Sequence, residues 1–485
     1  MGFRPLPMLI ALALGLGIWF LIPVPTGVSE NAWHLLALFV GTIAAIIGKA
    51  MPIGAVSIIA ITLVALTGVT AAEPADAIKD ALSSLSSPLI WLIGAAIMIS
   101  RGIIKTGLGA RIGYYLISLW GKRTLGISYA LAFAELILAP VTPSNTARGG
   151  AIIHPVMRAI AGSYDSDPAK GTQHRIGRYL ALTNYHANPI TSAMFITATA
   201  PNPLVVKLIA ESTGAQIQLS WSTWALAMLL PGLVAILLMP LVIYLIYPPE
   251  IKQTPNAAEF AREQLQAMGP LNRGEWIMLG VFVVLLLLWA NVPAYLLGPD
   301  ARVDATTTAF IGLSLLLLTG VLSWEDVIKE KSAWDTVIWF SALIMMATFL
   351  NKLGLIVWFT EHINSGISHL GLGWMGASAL LLITYLYAHY FFASTTAHIT
   401  AMFAAFYGAG LAVGAPAMPF ALMMAAASSL MMTLTHYATG TSPIIFGSGY
   451  VTLGEWWKAG FVMSLVLLLV WLVVGGAWWY VLGYF

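Results

Sequence analysis

Four short polar runs interrupt apolar stretches of this chain, and they hold most of the side chains whose types could do chemistry. Two are knots of hydroxyls and amides, Thr142-Pro-Ser-Asn-Thr-Ala-Arg148 and Ala393-Ser-Thr-Thr-Ala-His398. The other two, Thr199-Ala-Pro-Asn-Pro203 and Thr439-Gly-Thr-Ser-Pro443, break stretches that otherwise read as single long helices. Such breaks free backbone N–H groups, and helix N-termini carry partial positive charge, so anions bind there. Ser, Thr and Asn add donors suited to carboxylate oxygens. The candidate ligand-binding residues are therefore Ser144, Asn145 and Thr146 with Ser394, Thr395 and Thr396 at the knots. To these the breaks add Thr199, Pro201 and Asn202, and Thr439, Gly440, Thr441, Ser442 and Pro443. Two matching knots can grip the two ends of a small dianion.

Arg148 and His398 follow the knots at corresponding positions. An arginine at membrane depth is costly and marks function by default. The plainer alternative is a structural bridge from Arg148 to Glu135, itself either a scaffold partner or a proton-coupling group. His398 gains interest from its match to Arg148, whereas His186, His389 and His436 read as core or supporting residues. With no cysteine in the chain, disulfides, thiolate metal sites and thiol catalysis are excluded. No His-Glu-x-x-His zinc pair occurs. The run from Gly41 to Lys49 has the wrong glycine spacing for a phosphate-binding loop, and Ala50 stands where Ser or Thr is required. No cofactor, metal or catalytic residue is expected, and neither an enzyme nor an ATP-driven pump fits.

The elements that must carry these knots follow from composition. Of the 485 residues, 59% are hydrophobic and 9% charged, against roughly 25% charged in soluble domains. Lipid must be the solvent for most of the surface. The net charge of +2 is spread through loops and offers nucleic acid no patch. Spanning helices need about 20 apolar residues, which places them near 7–24, 31–48, 53–72, 88–104, 177–209, 222–248, 274–297, 306–322, 336–352, 417–449 and 460–482. The first is read as a helix and not a cleaved signal. Segments 177–209 and 417–449 are the two broken helices. Stretches 127–162 and 376–411 are too long for one span and too short for two, so each is expected to be a re-entrant hairpin with its polar tip inside the membrane. Irregular backbone at that depth is tolerated only where it lines an enclosed or watery cavity.

The halves repeat one another. Ile90-Trp91 and Ile338-Trp339 each lead to Gly-Leu, at 107–108 and 354–355, then to a knot, then to a broken helix. The expected plan is an N-terminal helix within 1–30, repeat 1 over 31–248, a cytoplasmic linker at 249–273 with a short amphipathic helix, and repeat 2 over 274–485. Five spans plus one hairpin per half force the second copy into the membrane upside down. With the N-terminus inside, only Lys79, Lys207, Arg302 and Lys352 of the 22 basic residues fall outside, while Arg148 lies within the membrane, in agreement with the positive-inside rule. Inverted repeats with paired broken helices are the signature of secondary transporters.

At these knots the sequence resembles the divalent anion/sodium symporter family, whose mark is Ser-Asn-Thr at each hairpin tip. The first motif is intact at Ser144-Asn145-Thr146, and the second reads Ser394-Thr395-Thr396. Thr-Ala-His at 396–398 and Thr-His-Tyr-Ala-Thr-Gly at 435–440 look like the citrate/succinate, tartrate/succinate and 2-oxoglutarate/malate exchanger branch. The resemblance implies an all-α elevator-type homodimer of about 11 transmembrane helices and two hairpins, in a bacterial inner membrane, exchanging di- and tricarboxylates. It also implies that Asn145, Thr146, Thr395 and Thr396 bind carboxylates. The absent second Asn puts the symmetric amide contact at 395, and the cation sites, in question. On this reading Arg148, helped by His398, compensates charge in place of sodium. A sodium-coupled symporter, an anion channel and a membrane-embedded enzyme are the competing classes.

Overall fold

The structure is a computed structural model that describes residues 2–369 and 371–485. Among the described residues the chain is helical throughout, and its burial pattern is that of a protein dissolved in lipid. Helix Pro5–Phe20 leaves Leu6, Leu9, Ile10, Leu12, Leu14 and Leu16 exposed, while helix Gly177–Met194 buries every residue but Arg178, including Asn184, His186 and Asn188. Leucine faces outward and amides face inward because hydrocarbon, not water, surrounds the fold.

Among the described residues, six helices are long and apolar enough to cross a membrane: Glu30–Ile47, Pro88–Thr106, Thr124–Val141, Trp221–Ile246, Lys331–Lys352 and Leu453–Val481. Shorter apolar helices include Pro5–Phe20, Ile53–Thr67, Ala305–Leu318 and Ala417–Thr433. Boundaries follow local chemistry. The first helix ends at Phe20, short of the expected 24, because Pro23 and Pro25 disfavour helical backbone before them. The stretch expected at 274–297 divides into Arg273–Trp289 and Val292–Leu297, since Asn291 adopts a left-handed φ of 57° ahead of Pro293.

Each half runs through the same elements. Helix Pro88–Thr106 turns at Gly107 (φ +79°) into helix Leu108–Trp120. Helix Lys331–Lys352 turns at Gly354 (φ +83°) into helix Leu355–Ser368. These are the two Gly-Leu landmarks; a left-handed φ is what glycine supplies without steric cost. In the sequence both second helices read only as linkers. Next come helix Thr124–Leu138 with a 3₁₀ turn Ala139–Val141, and helix Trp374–Ala388 with a 3₁₀ turn His389–Phe391. A polar tip follows each, then a return segment: π-helical Thr146–Ile153 continuing as His154–Ser163, or α-helical Thr395–Ala412. The segments at 177–209 and 417–449 are interrupted, as Gly177–Met194 and Asn202–Ser212, and as Ala417–Leu430 and Thr441–Gly447. Between the halves, helix Pro255–Ala267 packs on helix Leu108–Trp120.

Two apolar cores result among the described residues. The smaller joins helices Pro5–Phe20, Glu30–Ile47 and Ile53–Thr67, with Ala11, Leu35, Phe39, Ala60 and Val64, to one face of helix Lys331–Lys352, at Leu343 and Met346. The larger surrounds helix Gly177–Met194 and takes Val337, Phe340 and Ile344 from that same helix.

Candidate functional site

The two tips are built alike. Ser144 Oγ accepts from the Ala147 N–H at 3.1 Å, and Ser394 Oγ accepts from the Ala397 N–H at 3.3 Å. The backbone carbonyls of the same serines accept from the N–H groups of Arg148 and His398, at 2.9 and 3.1 Å. Both serines thus cap the return helix, which leaves Asn145-Thr146 and Thr395-Thr396 as its first residues, buried or half-buried inside the fold.

The first tip meets the second break across the halves of the chain. Asn145 Nδ2 donates to Thr439 Oγ1 at 2.9 Å. Gly440 packs so closely on Thr146 Oγ1 that a Cβ there would collide with it. Asn188, inside helix Gly177–Met194, ties the group together: its Nδ2 donates to the Asn145 carbonyl at 3.0 Å and to Glu135 Oε1 at 2.6 Å, and its Oδ1 accepts from Thr441 Oγ1 at 3.4 Å. Tyr185, one helical turn earlier, shares a 2.8 Å hydrogen bond with Ser442 Oγ and donates to the Met432 carbonyl. Sequence reading missed both Asn188 and Tyr185. The signal was present in Thr183-Asn-Tyr-His-Ala-Asn-Pro189, a polar run too rich for a lipid-facing helix.

The second tip is joined to the same break, where Thr395 Oγ1 donates to the Ala438 carbonyl at 3.2 Å. Asn202 of the first break is turned inward, donating to the Ser192 and Phe195 carbonyls at 2.7 and 2.9 Å and accepting from Ser429 Oγ at 3.2 Å. It holds the break's shape and offers a ligand little. Thr199 and Thr396 are buried and make no side-chain hydrogen bond to the other candidates among the described residues. Pro201 is the N-cap of the helix after the first break, and Pro443 lies in the first turn of the helix after the second.

Arg148 is fully buried, and each of its five donor hydrogens has an acceptor. Nε meets Glu135 Oε1 at 2.7 Å, Nη1 meets the carbonyls of Thr142 and Ala198 at 2.7 Å each, and Nη2 meets Thr191 and Ser192 hydroxyls at 3.3 and 3.0 Å. This differs from the expectation that Arg148 offsets the charge of a bound dianion. Its charge is spent on Glu135, and its geometry fastens helix Thr124–Leu138 and the return segment Thr146–Ile153 to the first break. His398 is likewise engaged. Its Nδ1 lies 3.0 Å from His389 Nδ1, and its ring stacks on Phe392. His389 Nε2 faces the Ala438 carbonyl at 3.1 Å and must donate there. Two facing Nδ1 atoms need one acceptor between them, so at most one of the two rings can be cationic, and His398 Nδ1 is turned to His389, not to the donors of the tips. His389, which the sequence marks as a core or supporting residue, is its partner.

A lipid-embedded helical bundle with a buried cluster of amide and hydroxyl groups, built from paired tips and broken helices, is a polytopic membrane transporter. The transmembrane region of sodium:sulfate symporters matches residues 4–485, and the chain belongs to that family. Among its relatives, YflS of Bacillus subtilis, provisionally named a malate transporter, is 49% identical, over 98% of this chain and 96% of that one. The chloroplastic dicarboxylate transporter 1 of Arabidopsis thaliana is 43% identical, over 98% of this chain and 83% of its own length. The L-tartrate/succinate antiporter of Shigella sonnei is 38% identical, over 94% of each chain. In fold, the chain is similar to the crystal structure of the Alcanivorax borkumensis YdaH transporter, with a TM-score of 0.53 at 14% identity and 98% of both chains covered.

Proposed function

We propose that this chain exchanges small dicarboxylates such as malate, succinate or tartrate across a membrane, and that the two tips and two breaks form the site. The observation that carries the reading is the Asn145–Thr439 hydrogen bond, which brings one tip and the opposite break into one donor cluster. The names of three relatives, all carboxylate transporters, support the substrate class. Asn145, Thr146, Thr395 and Thr396 grip the carboxylates, with the turns at 439–443 closing around them. Tricarboxylates such as citrate and keto acids such as 2-oxoglutarate belong to the same chemical range.

Arg148 stands in for a mobile cation at the tip by organising oxygens, not by facing the substrate. Five donors gather Glu135, two carbonyls and two hydroxyls around one fixed guanidinium. A guanidinium cannot dissociate, so the tip needs no bound sodium to keep its shape. The remainder of the reading is an inverted-repeat elevator working as a homodimer, with about 11 spans, two re-entrant hairpins and a cytoplasmic N-terminus.

Counterflow in proteoliposomes tests it. With succinate inside and labelled malate outside, uptake should require the internal carboxylate and be indifferent to replacing sodium by potassium or choline. Net uptake that rises steeply with sodium and needs no counter-substrate would establish a symporter instead. Such a result would align this chain with the sodium:sulfate symporters of its family.

A further inference from the structure

We propose that a groove between helices Leu108–Trp120 and Arg273–Trp289 binds one anionic phospholipid, its acyl chain inside and its headgroup held by Arg262 and Arg273. The groove is a cavity of about 850 Å³ whose wall includes Leu108, Ile112, Leu116, Ile137, Leu271 and Leu279. Its one charged lining residue, Arg111, is held by Glu275 and by two backbone carbonyls. Arg111 Nε and Nη2 bind Glu275 at 2.5 and 3.1 Å, and Nη1 and Nη2 donate to the Gly269 and Met268 carbonyls at 2.8 and 3.3 Å. The other polar side chains of the wall, Tyr115 and Gln266, are exposed, so the buried part of the wall is apolar and hydrocarbon is the matching occupant.

The rim has the opposite character. Arg262 stands one helical turn before the lining residue Gln266, on the same face of helix Pro255–Ala267. Arg273 opens its helix two residues after Leu271. Both arginines are exposed, and neither has a carboxylate within ion-pair distance among the described residues. Exposed Tyr115, Trp120 and Trp276 belong to the same two helices, and such rings sit at headgroup depth. The groove is therefore apolar below and cationic at its mouth, the pattern of a basic pocket for an anionic headgroup. A second copy docked symmetrically here would face Arg262 and Arg273 with their own like charges, which disfavours a protein occupant.

The test is native mass spectrometry of the full-length protein in detergent, titrated with phosphatidylglycerol or with phosphatidylcholine of the same chains. It reads lipid occupancy and is independent of the transport reading. One phosphatidylglycerol per protomer should bind about thirtyfold more tightly than phosphatidylcholine, the scale expected for two surface cations. The double variant R262Q/R273Q, altered only at exposed positions, should erase that preference. Ile112→Trp, which fills the groove, should lower occupancy by both lipids. Equal binding of the two lipids by the wild type would overturn the proposal, as would an unchanged preference in R262Q/R273Q. A dimer that dissociates in the Ile112→Trp variant with lipid occupancy intact would make the groove a contact between copies.

Discussion

Removing the guanidinium of Arg148 separates two roles for it, tip organiser and counter-charge for the substrate. The Arg148 side chain is 0% exposed and that of Glu135 is 1%. In Arg148→Met, Glu135 keeps only the Asn188 donor at 2.6 Å and the weaker 3.5 Å contact with Thr191, and the Thr142 and Ala198 carbonyls lose the donor they share. Breaking a buried pair by deleting one partner costs about 3–5 kcal/mol, because an uncompensated charge is left behind. Glu135→Leu alone should cost a similar amount. The double variant Glu135→Leu/Arg148→Met removes both charges, so its loss should fall short of the two single losses added together by about 0.5–3 kcal/mol. Unfolding free energies of the four proteins in mixed detergent micelles close this cycle, with counterflow measured on each. The reasoning is refuted if both single variants keep wild-type stability while Arg148→Met alone loses exchange. Sodium would then be expected to restore uptake in that variant.

Asn145→Ala removes the donor to Thr439 and a donor for substrate, so binding should weaken by about 1.5–3 kcal/mol, the worth of one hydrogen bond to a charged group; calorimetric titration with succinate measures it. Gly440→Ala should misfold or inactivate the protein because the new methyl meets Thr146 Oγ1, and Thr146→Ala/Gly440→Ala should recover folded yield on size-exclusion chromatography. The Asp326 carboxyl is held at about 2 instead of 3.8, first by its hydrogen bond with Lys105 and then by the Ser323 N–H. Its folded pKa is depressed, so its stabilisation is complete above about pH 4 and is lost as pH falls toward 2. Melting temperatures of wild type and Asp326→Asn should differ by a constant amount at higher pH and converge through that window. Single cysteines replacing Lys105 and Lys352 in this cysteine-free chain should react with an impermeant reagent from opposite sides of the membrane, and labelling from one side would sink the inverted topology.

The membrane class, the element order and the polar breaks were legible in the sequence because each is a local property. Twenty apolar residues, a proline before a helix end, or Ser-Asn-Thr in the middle of hydrocarbon are recognisable without knowing any partner. The Gly-Leu landmarks at 107–108 and 354–355 were legible as a repeat, though not as turns into helices Leu108–Trp120 and Leu355–Ser368. Those helices carry too many polar residues to score as spans. Asn188 and Tyr185 escaped notice because a polar residue inside a long helix gives no sign of which distant segment it faces.

The sequence by itself therefore determined that the protein dissolves in lipid, that its polar residues gather at two tips and two breaks, and which residues stand at each. Only the tertiary structure decided how those segments pair. Asn145 meets Thr439, 294 residues away in the chain, and Thr395 meets the carbonyl of Ala438 within its own half. It also decided where charge resides. A lone arginine in an apolar stretch is an exposed liability on paper, and its role depends on its neighbours. Folding placed Glu135, 13 residues earlier, at 2.7 Å from Arg148 and surrounded the guanidinium with four more oxygens. Hydrocarbon offers a buried charge no other partner, so the chain must supply every one, and which atoms do so is a matter of three-dimensional packing alone.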